Sequence, residues 1–139
     1  MSAPFSLKPY LRQSLAALHD YLAEAAAADD AKMSFYTLTR RPYQDAPALP
    51  GLPYICLRAP AGGGKTILAA HAIGIACDAF IKSEAPCALW LVPSQTIRDQ
   101  TLATLQDRAH PNRRALAGRF GENVRVMTVT EALRQARRF

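Results

Sequence analysis

Tyr54-Ile55-Cys56-Leu57-Arg58-Ala59-Pro60-Ala61-Gly62-Gly63-Gly64-Lys65-Thr66 is the stretch on which the reading of this chain turns. A short continuous apolar run, Tyr54 to Leu57, reads as a strand buried on both faces. Three successive glycines follow, and a helical pattern begins at Lys65 without a spacer. Consecutive backbone N–H groups in such a loop form an anion-binding nest, and side chains there would block the anion and restrict the dihedrals. The helix start adds its positive dipole end. These features predict a phosphate site built from Ala61, Gly62, Gly63, Gly64, Lys65 and Thr66. Lys65 supplies a full positive charge to the β- and γ-phosphates of ATP, and the Thr66 hydroxyl is placed to ligate Mg²⁺. The alternative is a glycine-rich turn between strand and helix that holds no ligand. One position departs from the general phosphate-loop pattern: Ala59 stands where the first glycine belongs.

Outward from the loop, apolar periodicity continues the helix from Lys65 to about Phe80. Cys87 to Val92 reads as a second buried strand closed by Pro93-Ser94, and residues 95–107 as a helix with Ile97, Thr101, Leu102 and Leu105 on one face. Pro111 opens a short helix through Leu116, Asn123 to Val129 reads as a third strand, and Thr130-Glu131 is expected to cap a final helix that reaches Phe139. Upstream, Leu7, Leu11, Leu15, Leu18 and Leu22 mark one face of a helix over 6–28, with Ser6 as its N-cap and Pro9 in its first turn. Asp29-Asp30 suits a helix C-terminus poorly, so fraying is expected near Ala27. Residues 39–53, with Pro42, Pro47, Pro50, Pro53 and Gly51, break regular structure. Alternating strands and helices predict an α/β fold with a three-stranded, mostly parallel sheet. The expected organisation is a helical segment 1–38, a proline-rich linker 39–53 and an ATP-binding domain 54–139.

Composition narrows the function classes. Half of the 139 residues are hydrophobic and 20% are charged, enough apolar material for a packed core. The net charge of +6 is uneven. Residues 1–107 balance nine Lys/Arg against nine Asp/Glu, while 108–139 carry Arg108, Arg113, Arg114, Arg119, Arg125, Arg134, Arg137 and Arg138 against Glu122 and Glu131. That tail is either a solvated helical surface or a face turned to a polyanion. The first residues, Met1 to Ser6, lack the basic start and apolar run of a secretory signal. His71, Asp78, Lys82 and Glu84 interrupt the richest apolar stretch, which argues against a membrane span. Cys56, Cys77 and Cys87 lack metal-ligand spacing and lie in apolar contexts, so they read as reduced core thiols of a cytoplasmic protein.

The Ala59 departure has a precedent. Ala-x-x-Gly-x-Gly-Lys-Thr resembles motif I of superfamily 2 helicases and translocases. Leu91-Val92-Pro93-Ser94-Gln95-Thr96-Ile97-Arg98-Asp99-Gln100 resembles their motif Ia: Pro93, Ser94 and Gln100 match, whereas Gln95, Thr96 and Arg98 do not. From Leu52 to Leu133 the chain is similar to the start of the DEAD/DEAH-type helicase domain of type III restriction enzyme subunit R proteins, with Ala61 in place of the family's threonine. The resemblance implies a RecA-like ATPase core coupled to movement on double-stranded DNA. It also implies nucleic-acid backbone contacts at Ser94 and Gln100, and adenine recognition at Gln44 through an Arg-x-Tyr-Gln element, Arg41 to Gln44. Each has a plain alternative: Ser94 as a helix N-cap, Gln100 as a solvated helix residue, Gln44 in an ordinary turn.

ATP hydrolysis by this machinery also needs an Asp-Glu-x-His element at the end of another strand, a second lobe and arginine fingers. The sequence has no such element, and Glu131 sits in a Thr-x-x-Glu arrangement typical of a helix cap. His19, His71 and His110 lie in three different elements and form no catalytic constellation. The expectation is therefore the front segment of a helicase motor, truncated before its catalytic half. Its partial RecA-like sheet would expose a bare edge and favour self-association. Two other readings stay open: a small phosphotransferase with a lid of Arg108, Arg113, Arg114 and Arg119, and a basic nucleic-acid-binding fragment with a vestigial phosphate loop.

Overall fold

The leucine spacing of the N-terminal segment becomes a helix with one buried side. In the computed structural model, which describes residues 6–137, helix α1 spans Pro9–Ala28 and buries Leu11, Leu15, Leu18, Tyr21, Leu22 and Ala25. Each buried leucine contributes roughly 1.5–3 kcal/mol of apolar transfer free energy. Pro9 takes the first helical position, and the flanking residue is Lys8, not Ser6 as the sequence predicts. The proline ring forces its predecessor out of the helical region, so Lys8, at φ −59° and ψ 146°, sets the boundary.

The acidic pair after α1 divides its work. Asp29 takes a left-handed conformation that ends α1, and the Asp30 carboxylate accepts the Met33 N–H at 2.8 Å to cap helix α2, Ala31–Thr39. Helix α3 spans Lys65–Ala76 and runs into one π-helical turn, Cys77–Ile81. Leu18, Tyr21, Leu22 and Ala25 of α1 pack with Ala31 and Ala79, and Phe35, Ala72, Ile75 and Phe80 close around them. Tyr21 donates to the Ala31 carbonyl at 3.2 Å and meets Phe35 edge to face at 5.7 Å. Burial, reinforced by Tyr43, raises the Tyr21 pKa above the ordinary tyrosine value. Tyr43 also closes the proline-rich stretch: its hydroxyl donates to the Leu52 carbonyl at 3.1 Å and accepts the Tyr54 N–H at 2.6 Å.

The expected α/β fold is not formed. The described residues contain helices and no strand, so there is no three-stranded sheet, no RecA-like core and no sheet edge among them. The physical reason lies in what buries the apolar runs. Ile55 and Leu57 pack onto the helical cluster while Tyr54, Cys56 and Arg58 face solvent, so this run is covered on one side only, by helices. Helix α3 packs against α1. In the second candidate strand, Leu89 and Leu91 are 70% and 80% exposed. An apolar run states that burial is favourable and leaves the partner undetermined, and here helices are that partner.

The chain forms two compact units that divide between Pro86 and Cys87. In the second, Ser94 caps helix α4, Gln95–Gln106, and Pro111 opens helix α5, Pro111–Phe120, four residues longer than its sequence pattern suggests. The predicted third strand is irregular from Val124 and gives way at Val129 to helix α6, Val129–Ala136, whose cap is Thr128, so Thr130 lies inside the helix and not at its cap. Arg113 is buried: it donates to the Leu105 carbonyl at 3.3 Å, near the C-terminus of α4, and to the Val124 carbonyl at 2.9 Å. One of the tail's arginines is thus a structural cation held by backbone carbonyls. Arg138 and the N-terminal Met1 to Phe5, read above for charge and for a signal, lie outside the described residues. Cys77 is buried, whereas Cys56 and Cys87 are exposed, contrary to the core role read for all three. No helix of the described residues is long and apolar enough to cross a membrane.

Candidate functional site

Loop and helix start are formed as the glycine run dictates. The Gly63 N–H donates to the Pro60 carbonyl at 2.9 Å, closing a turn whose third residue, Gly62, has φ of 65°. That sign at the third position is the type II signature, which side chains resist. Gly64 follows at φ 88° and ψ 38° and is the residue from which α3 springs. The sign of φ therefore alternates along Gly62, Gly63 and Gly64, the backbone rhythm that turns successive N–H groups into one concavity.

Space is as restricted as torsion. A Cβ on Gly63 would stand 2.6 Å from the Pro60 carbonyl oxygen, and one on Gly64 would stand 3.1 Å from Leu11 Cδ1 of α1. No side chain caps α3, and its first backbone-bonded N–H is that of Leu68, to the Gly64 carbonyl at 3.0 Å. The N–H groups of the turn before it, Lys65, Thr66 and Ile67, have no partner within the helix and are available to an anion. Lys65 is exposed and Thr66 half-buried at this end. Five of the predicted phosphate-site residues, Gly62 to Thr66, are thus brought to one turn and one helix start, with Ala61 at the exposed second position of the turn.

The sequence pattern does not single out Tyr10. Its hydroxyl, on the first turn of α1, donates to the Gly63 carbonyl at 2.5 Å across 53 residues of chain. No local signal announces such a contact; only the leucine face of α1, which commits that helix to pack on something, hints at it. On α3, His71 is half-buried, and desolvation lowers its pKa below the ordinary histidine value.

The weaker candidates stand apart from this arrangement. Gln44 is exposed, and among the described residues no hydrogen bond ties it to the loop. In the other unit the Ser94 hydroxyl accepts the Ile97 N–H at 3.3 Å and so serves as a helix cap, while Gln100 is exposed on α4. Glu131 is engaged in a capping box with Thr128. It also lines an open cleft of about 370 Å³ with Gln106, Arg125, Val126, Met127 and Gln135. The described residues contain no group of three His, Cys, Asp or Glu side chains able to hold a metal ion. Comparison of the chain with protein-family models, with curated proteins and with solved structures finds no match.

Proposed function

We propose that this chain binds the phosphates of a nucleotide, ATP with Mg²⁺, at the loop formed by residues 60–66. The observation that carries the reading is the cradle at Gly63 and Gly64. There a Cβ would collide with the Pro60 carbonyl or crowd Leu11, and the loop opens directly into the uncapped start of α3. Backbone N–H groups of Gly64 to Ile67 would hold β-phosphate oxygens, with Lys65 adding its charge as the γ-phosphate binds. Mg²⁺ would be held by the Thr66 hydroxyl, phosphate oxygens and water, the oxygen-rich, incompletely dehydrated coordination this ion prefers. None of this requires a sheet, because the nest belongs to the loop and the dipole belongs to the helix.

The reading stops at binding. Hydrolysis needs a carboxylate to place the attacking water, and Glu131, the acidic residue weighed for that role, is committed to its cap. Duplex DNA as a partner rests on the helicase resemblance over Leu52 to Leu133 and forms no part of the reading.

An amide-resolved titration of the full chain tests it. Pyrophosphate with Mg²⁺ should shift the N–H resonances of Gly62, Gly64, Lys65 and Thr66 in a saturable way, with α4 to α6 unmoved. Shifts spread over the arginine-bearing helices, with the loop silent, would show a nonspecific anion effect and sink the proposal.

A further inference from the structure

We infer that Tyr10 is a positioning residue for the phosphate loop: its hydroxyl fixes the Gly63–Gly64 peptide so that the Gly64 N–H is presented to a bound β-phosphate. The inference rests on the nucleotide-binding reading above. Its geometric basis is the 2.5 Å bond from the Tyr10 hydroxyl to the Gly63 carbonyl oxygen. In a planar trans peptide the C=O and the following N–H point in opposite directions. Holding the Gly63 oxygen against α1 therefore turns the Gly64 N–H away from α1.

Glycine makes such a restraint consequential. A run of three glycines samples both signs of φ freely, so an unrestrained Gly63–Gly64 peptide can flip and present its carbonyl, not its N–H, to an incoming phosphate. A carbonyl oxygen facing a phosphate is repulsive. Two restraints oppose that flip here. Leu11 closes the side of Gly64 toward α1, with its Cδ1 at 3.1 Å from where a Cβ would stand, and Tyr10 pins the carbonyl itself. Both residues belong to the first turn of α1, which Pro9 starts and the buried Leu11, Leu15 and Leu18 hold in place. The N-terminal helix is thereby part of the binding site: it sets the polarity of the loop peptide before ligand arrives. Ordering the loop in advance removes an entropic cost that each phosphate would otherwise bear.

The test compares the full-length wild type, Tyr10→Phe and Lys65→Ala. A fluorescent ADP analogue with Mg²⁺ is the probe, and unlabelled ADP and pyrophosphate are the competitors. Tyr10→Phe keeps the ring and removes only the hydroxyl. It should weaken ADP and pyrophosphate by the same factor, about fivefold, the worth of one neutral hydrogen bond, while melting with the wild type. An equal loss for both competitors with melting unchanged places the effect at the phosphates, whereas a merely structural role would lower the melting temperature as well. Wild-type affinity in Tyr10→Phe, alongside lost binding in Lys65→Ala, overturns the positioning role and leaves the phosphate site standing. Lower melting in Tyr10→Phe with affinity regained on cooling also overturns it, since the hydroxyl would then serve the fold alone. Failure of the wild type to bind, or full binding by Lys65→Ala, removes the site and this inference together.

Discussion

At Gly64 two requirements meet in one residue. Its φ of 88° lies where an L side chain is strained, and the space a Cβ would take is bounded by Leu11 Cδ1 at 3.1 Å and Ile67 Cγ2 at 3.3 Å. Gly64→Ala should therefore cost about 1–2 kcal/mol from the left-handed backbone alone. In a unit of this size that lowers the melting temperature by several degrees, about 4–8 °C per kcal/mol. If the proposed phosphate site is right, the same variant should also lose affinity for nucleotide, because relief comes by rotating the peptide whose N–H that site would turn to the phosphate. Circular-dichroism melting of Gly64→Ala beside the wild type checks the first part; an unchanged melting temperature would mean the loop relaxes at no cost and the cradle is not rigid. Gly63 is restricted differently, by a backbone oxygen at 2.6 Å from a notional Cβ, and backbone yields less readily than a leucine methyl.

Among the elements, α6 shows what a short local pattern can settle. Thr128 Oγ accepts the Glu131 N–H at 3.2 Å, and the Glu131 carboxylate accepts the Thr128 N–H at 2.7 Å and its hydroxyl at 2.9 Å. Those bonds, the backbone one foremost, with Arg134 adding attraction, hold the Glu131 carboxyl below the ordinary glutamate range. A depressed folded-state pKa means that the cap's contribution is complete above the unfolded value of 4.5 and is lost as pH falls through the lower folded value. Acidification should thus fray α6 first at its N-terminal turn, visible as backbone chemical-shift changes over 128–133, and Glu131→Gln should flatten that dependence. Identical acid titration in Glu131→Gln would assign the fraying to another group.

The same scale explains what the sequence disclosed and what it withheld. The capping box, the Ser94 cap and the leucine face of α1 were legible because each depends on residues within a turn or two of one another. The Lys65 start of α3 was legible because glycine, then a helix former, punctuates the chain. The expected sheet does not form, because Tyr54 to Leu57 and Cys87 to Val92 are apolar without specifying a partner. A strand needs a neighbouring strand to take its backbone hydrogen bonds. Here Ile55 and Leu57 are covered by helices, and Leu89 and Leu91 are left open. The placement of Gly62 to Thr66 on one turn and one helix start is legible from spacing, whereas the Tyr10 contact is not, because its bond spans 53 residues.

Across the whole molecule, the residues of the proposed phosphate site belong to the unit that ends at Pro86, and most of the excess arginine to the unit after it. Arg113 shows that positive charge in the second unit is partly structural, while Arg108 pairs with Glu122 at 3.5 Å across exposed side chains. Arginine count alone therefore overstates the charge free to meet a polyanion. In the proposed phosphate site the side-chain charge would come from Lys65, which no salt bridge among the described residues employs. The decisive measurement is the affinity of the full chain for a fluorescent ATP analogue with Mg²⁺, in the wild type and in Lys65→Ala. Saturable binding by the wild type, lost in Lys65→Ala without change in melting temperature, is the predicted result. Equal affinity in both proteins would contradict the account.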